Sequence, residues 1–165
     1  MIGRFAVLDN DTGARRSAVA EFEAFVARHE PHLRHALVAH YGPEEGRDAT
    51  AEALAYAWEH WERVKVMANA PGYLYRVAQS RTRKRRQPAV FTQAEHAEPS
   101  IEPGLPDALR RLPQSQRVAV VLVHGFGWRA TEVAEFTGVK PTTVQNHLER
   151  GLRRLRKSLG VPDAS

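Results

Sequence analysis

Glu132-Val-Ala-Glu-Phe-Thr-Gly138-Val-Lys-Pro-Thr-Thr-Val144 is the stretch that decides the fold. A helix-turn-helix needs a small residue where its two helices touch, a glycine free to take positive φ in the tight turn, and apolar residues that set the crossing angle. Ala134, Gly138, Val139 and Val144 supply these in order. Pro141 suits the first position of the second helix, where a missing N–H costs nothing. From there Val144, Leu148, Leu152, Leu155 and Leu159 recur at steps of four, four, three and four, an apolar stripe along one helix. The other side starts with Lys140, Thr142, Thr143, Gln145, Asn146 and Glu149 and ends in Arg150, Arg153, Arg154, Arg156 and Lys157. Gln and Asn read adenine edges, Thr meets a thymine methyl, and Lys140 with the helix N-terminus suits phosphate. Duplex DNA is the ligand this pattern predicts; a plain helical hairpin in an all-α core is the alternative.

Upstream of this motif the chain reads as more helices. Phe22, Phe25, Val26, Leu33 and Leu37 lie on one stripe from Glu21, interrupted or bent near Pro31 and stopped by Gly42-Pro43. Leu54, Trp58 and Trp61 mark a second, acidic helix over 44–64. A third is expected over 73–87, after the Asn69–Gly72 turn. It opens with Tyr73 and Tyr75 and leaves through Arg76, Arg81, Arg83, Lys84, Arg85 and Arg86. Rings that stack bases beside arginines that hold phosphates suit single-stranded DNA, at about 1–3 kcal/mol per stacked base. Burial of either tyrosine beneath Trp58 and Trp61 is the competing reading. Residues 88–106 hold Pro88, Pro99, Pro103 and Pro106 with Glu95, Glu98 and Glu102 and no Lys or Arg, an acidic linker. Residues 107–160 resume with Leu109, Leu112, Pro113, Val118, Val121 and Leu122, and residues 1–20 read as a loose arm.

Composition limits the alternatives. With 165 residues, 42% hydrophobic and 26% charged, the chain can bury a core. It has no run of roughly 20 apolar residues, so membrane insertion is not expected, and the start lacks the features of a signal peptide, which makes the cytoplasm the expected location. Zero cysteines exclude disulfides and thiolate chemistry. The net charge of +5 is modest; its clustering at 81–86 and 150–157 is what points to phosphates.

Two enzyme signals fall short. Gly125-x-Gly127-x-x-Ala130 after Val118–Val123 matches a dinucleotide fingerprint, which would make the chain an NAD-binding enzyme. It requires a second strand ending in an acid about 30 residues on, where Leu148–Leu159 is helical by period. His29-Glu30-Pro31-His32 spaces its histidines by three, not the four that two zinc ligands on one helix face need, and His35, His40 and His60 complete no triad. No catalytic residue, cofactor or metal is expected.

In order and spacing these pieces resemble the extracytoplasmic-function group of bacterial sigma factors, in the sigma-70 family, over Glu21–Leu159. The carriers are Asp48-Ala-Thr-Ala-Glu52-Ala-Leu-Ala-Tyr-Ala-Trp58, Asn69-Ala-Pro-Gly-Tyr73-Leu-Tyr-Arg-Val-Ala78, Leu112-Pro-Gln-Ser-Gln116-Arg-Val-Ala-Val-Val-Leu122 with Gly125-Phe-Gly-Trp128, and Glu132 through Val144 with its Arg-rich end. The resemblance implies an all-α fold of two small domains: a three-helix region 2-like domain over 21–87 and a helix-turn-helix region 4-like domain over 107–160. The acidic linker 88–106 joins them, and the tail is 161–165.

The same resemblance implies that Asp48 and Glu52 dock on the clamp helices of the largest subunit of core RNA polymerase, with Trp58 nearer the interior. Asn69, Tyr73, Tyr75, Arg76, Gln79, Arg81 and Arg83 would hold unpaired bases of the minus-ten promoter element. Lys140, Thr142, Thr143, Gln145, Asn146, Arg150, Arg153 and Arg154 would read the minus-thirty-five duplex. Such a chain initiates transcription without catalysing it, works at the bacterial nucleoid, and admits an anti-sigma factor as a further partner. Ala51, Gln79-Ser80, Arg129 and Lys140 depart from the family's usual glutamine, Arg-Asn pair and two serine caps. A conventional dimeric helix-turn-helix regulator would share the C-terminal half but need a dimer interface or effector pocket within 21–87.

Overall fold

Leu33, Ala36 and Leu37, each almost wholly removed from solvent, mark the apolar stripe of the first helix in a computed structural model that describes residues 6–82 and 104–161. This helix, α1, runs Ala6–Tyr41 and passes through Pro31, so the interruption expected there is absent. Proline inside a helix costs about 3 kcal/mol. Burying Leu33 and Leu37 on the turns that follow returns about 1.5–3 kcal/mol each and outweighs it. The loose arm expected over 1–20 is likewise corrected: from Ala6 onward these residues extend α1, and residues 1–5 lie outside the described part. Ala14, Arg15, Arg16, Ala18 and Ala20 are strong helix formers, and Ser17 donates to Glu21 one turn on at 3.2 Å.

The second helix, α2, covers Pro43–Glu59; Pro43 occupies its first turn with Glu44 and Glu45 at the positive end of the helix dipole. Its face toward α1 is small, with Gly46, Ala49, Ala53 and Ala57 all buried, so the two helices approach closely. A turn at His60 separates α2 from a single helical turn, α3, Trp61–Val64, where one continuous helix to 64 is expected from the sequence. That turn reverses the roles of the tryptophans. Trp61 is buried against Phe22 and Phe25, with ring centroids 5.2 and 5.3 Å apart, whereas Trp58 is 41% exposed and not interior. The fourth helix, α4, spans Ala70–Thr82, and the expected extension through Arg83–Gln87 lies outside the described residues.

After the break, α5 (Leu105–Arg111) begins two residues before the expected start of the C-terminal domain at 107, with Pro106 in its first turn. The extended Leu112-Pro113 pair divides it from α6, Gln114–Val120, which continues as a π-helical turn over Val121–Gly125. Among the described residues there is no strand. Val118–Val123 is helical, which overturns the strand that a dinucleotide site would require. The motif helices follow as α7, Ala130–Thr137, and α8, Pro141–Leu159. The halves touch: α1 packs on α6 and the π turn, and α4 packs on α7.

Candidate nucleic-acid interface

The helix-turn-helix forms as its sequence predicts. Gly138 closes α7 at φ 76°, the left-handed region that favours glycine, and its N–H bonds the Ala134 carbonyl at 2.9 Å. Arg129 stands at the cap of α7 in place of a serine; Glu132 reaches back to accept the Arg129 N–H at 2.7 Å, so half of a capping box survives. On α8, Val144, Leu148, Gly151 and Leu155 are buried against α6 and α7. Lys140, Thr142, Gln145, Asn146, Arg150, Arg153 and Arg154 are exposed, and Thr143 is half-buried. One face therefore anchors the helix and the other presents amide and hydroxyl groups early and guanidinium groups late, the order a helix entering a major groove needs.

The second surface is on α4. Asn69 caps this helix, its Oδ1 accepting the Gly72 N–H at 2.9 Å. A Cβ at Gly72 would lie 2.6 Å from the Asn69 side chain, so the turn demands that glycine. Tyr73 is half-exposed, as the single-strand reading requires, and its hydroxyl lies 2.9 Å from that of Tyr56. Arg63 donates to both phenols, at 2.6 Å to Tyr73, and the Arg81 guanidinium sits 4.7 Å above the Tyr56 ring. The bond with Tyr56, then partial burial, pushes the Tyr73 phenol up, so it stays neutral at physiological pH.

Tyr56 and Arg63 escape sequence reasoning. Seven positions apart on an uninterrupted helix they would be two turns distant, and only the break at His60 folds Arg63 back onto Tyr56. Arg76 and Arg81 are exposed, Gln79 is half-buried, and Arg83 lies outside the described residues.

Tyr75 is the correction. It is 4% exposed, its ring 5.5 Å from Phe136 of α7 and its hydroxyl 2.9 Å from His40 Nδ1, so in this arrangement no base can reach it. Burial pushes its phenol up. Burial, with the Arg117 charge nearby, holds His40 down at about 4, so the ring is neutral. It is neutral among Tyr75, Gln79 and Gln114, whose amide lies against Nε2. Asp48 is exposed and Glu52 half-buried along the outer side of α2. Among the described residues no group of three or more His, Asp or Glu could hold a metal ion. No described helix is long and apolar enough to cross a membrane.

Comparison with known proteins agrees with this geometry. Residues 104–155 match the family described as sigma-70, region 4, which covers α5 through most of α8. The chain is 32% identical over 161 residues to the RNA polymerase sigma-E factor of Streptomyces coelicolor, covering 88% of this chain and 89% of that one. It is also 32% identical to the Streptomyces antibioticus protein of that name, covering 88% of each. In fold it is similar to the sigma factor RpoE of Bartonella quintana, solved in complex with the anti-sigma factor NepR. There the TM-score is 0.59 at 23% identity, over 87% of this chain and 98% of that one. A helix-turn-helix with a polar reading face, an aromatic and cationic helix in the other half, and relatives matched over nearly their whole length converge on one family: the chain belongs to the extracytoplasmic-function group of sigma-70 RNA polymerase sigma factors.

Proposed function

We propose that this sigma factor binds core RNA polymerase through the acidic outer side of α2 and brings two DNA-binding surfaces to a promoter. The observation that carries the reading is the division of α8 into a buried apolar face and an exposed face of Lys140, Thr142, Gln145, Asn146, Arg150, Arg153 and Arg154. In this reading residues 107–160 read the minus-thirty-five duplex, with Thr143 at the edge of the contact. Residues 21–87 hold the minus-ten bases. Asp48 and Glu52 contact the clamp helices, and the segment 88–106 links the two domains.

Tyr73 offers the ring on which an unpaired base stacks. Arg76 and Arg81 share its groove and Tyr56 and Arg63 hydrogen-bond its hydroxyl, while Asn69, Gln79 and Arg83 are the further base and phosphate contacts of this reading. Unpaired bases bind there and paired ones do not, so binding energy favours local melting, while the polymerase performs all the chemistry. The chain itself acts without catalysis, in the bacterial cytoplasm at the nucleoid. An anti-sigma factor, the partner in the Bartonella quintana complex, is a further partner by analogy.

The test is run-off transcription with purified core polymerase, genomic fragments and this chain. Discrete start points sharing upstream sequence are expected. Sequence-selective duplex binding with no polymerase-dependent starts would instead indicate a conventional regulator.

A further inference from the structure

A cavity of about 240 Å³ opens where α1, α4, α6, α7 and α8 converge. Part of its wall is apolar, formed by Val118, Val133, Val139 and Val144. An apolar hollow of about 150 Å³ already takes a benzene ring, so the space here suits a molecule of one or two rings. The rest of the wall is polar and is organised by one histidine. His40, buried at 8% exposure, has Nδ1 2.9 Å from the Tyr75 hydroxyl, and the Gln114 amide lies against its Nε2. Those two partners satisfy both ring nitrogens. Gln79, with Nε2 3.3 Å from the same Nδ1, is therefore more than the histidine requires, and its amide retains donors for a ligand.

The charge at the mouth has one sign. Arg76 is exposed, and its Nη1 lies 3.6 Å from the place a Cβ on Gly138 would take, so the guanidinium spans from α4 to the turn of the helix-turn-helix. Among the described residues that line the cavity there is no Asp or Glu, so nothing in the lining neutralises that guanidinium. A cation and amide donors beside an apolar wall match one anionic group on an apolar body: the rings leave water, and the low dielectric next to them strengthens the ion pair. A cationic ligand would meet Arg76, and a polyanion would set most of its charge against the valines.

We propose that this cavity binds a small apolar monocarboxylate of one or two rings, its carboxylate paired with Arg76 and hydrogen-bonded by Gln79 and Gln114, its rings against Val118, Val133, Val139 and Val144. Arg76 and Gln79 are also read above as contacts of unpaired bases, so a bound carboxylate takes them from the single strand. That consequence rests on the reading of α4; the site itself does not.

The probe is 2-naphthoate, with 2-naphthamide as its uncharged counterpart, titrated calorimetrically into the full chain at neutral pH. One saturable site is expected, binding the carboxylate at least about fivefold more tightly than the amide, the margin of a charged over a neutral hydrogen bond. Arg76→Gln should erase that preference, whereas Arg28→Gln, which removes an exposed cation elsewhere on α1, should leave it unchanged. Ser115→Trp, at an exposed position of the lining, should fill the mouth and remove binding of both probes. If Ser115→Trp loses its helical circular dichroism, the contrast between Arg76→Gln and Arg28→Gln still decides. Absence of saturable naphthoate binding overturns the proposal, and so do equal affinity for the amide and equal losses in Arg76→Gln and Arg28→Gln. With the site filled, a fluorescent pool of random single-stranded oligonucleotides should bind more weakly. If naphthoate binds as expected and the oligonucleotides are unaffected, the site stands and the assignment of Arg76 and Gln79 to the single strand falls.

Discussion

Replacing Gly46 with alanine should separate the two helices on which the N-terminal half is built. A Cβ at this position would lie 2.5 Å from the Cα and 2.6 Å from the N of Val38, and 2.8 Å from the carbonyl carbon of Leu37, all backbone atoms of α1. Carbon atoms in contact rest at about 3.5–4.0 Å, so the shortfall is about 1 Å and no rotamer change can relieve it. Overpacking costs about 1–3 kcal/mol, and a clash with rigid backbone belongs at the upper end. Alanine returns up to about 1 kcal/mol of helix propensity, leaving a net loss of about 2 kcal/mol. For a domain of this size that lowers Tm by about 4–8 °C. The control is Gly13→Ala in the same helix, where an added Cβ meets nothing within 4 Å. It should gain about 0.5–1 kcal/mol. Urea denaturation of both variants, followed by far-UV circular dichroism, measures the difference. A Gly46→Ala chain as stable as its parent would refute the close approach of α1 and α2.

Protons should weaken the closed fold in a defined window. The His40 ring titrates near 6.5 when unfolded and at about 4 when folded, so the unfolded chain binds more protons between those values and stability is lost as pH drops from 6.5 to 4, by about 3 kcal/mol in all. His29 and His35 are also held down by burial and shift stability the same way, so His40→Gln should remove most but not all of the slope in denaturant titrations from pH 7 to 4. Tyr73→Ala should spare minus-thirty-five duplex binding in gel-shift assays while reducing permanganate-detected open complex at least about fivefold, in keeping with about 1–3 kcal/mol for a stacked base. Equal loss in both assays would contradict the division of labour. Arg154→Ala should weaken duplex binding about equally on all sequences and reduce the salt slope of log K by about one, whereas Asn146→Ala should relax discrimination at one base pair by about 1–3 kcal/mol.

What could be read in advance was local. Ala134, Gly138, Val139, Pro141 and Val144 act over a few residues, through a left-handed glycine, a proline-initiated helix and a small contact point, and the turn they predict is present. The stripe of Val144, Leu148 and Leu155 was legible for the same reason: a period shows which face is apolar. It does not show what covers that face. Tyr75 has the composition of a surface ring beside Arg76, yet it lies under Phe136, 61 positions later in the chain, and nothing within a helical turn of either residue signals the pairing. Arg117 reads as one more cation on an amphipathic helix until the carbonyls of Ala39 and His40 are placed next to it. The helicity of residues 6–20 was hidden because Asn, Asp and Gly there lower local propensity, whereas a helix already nucleated downstream extends through them at little cost.

The length of α1 has a thermal consequence. At 1.5 Å per residue its 36 residues span roughly 54 Å. Its outermost anchors toward the amino end are Phe22, against Trp58 and Trp61, Glu21, paired with Lys65 at 3.4 Å, and Ala18, partly buried against the core. Residues 12–17 are exposed. A helix that long without tertiary cover is sustained by propagation alone, which weakens on warming well before the packed core does. The N-terminal third of α1 should therefore unwind in a gradual, low-enthalpy phase that precedes the cooperative transition. Amide exchange should quicken residue by residue toward the amino end, so this one helix carries both the most fragile and the most protected backbone of its half.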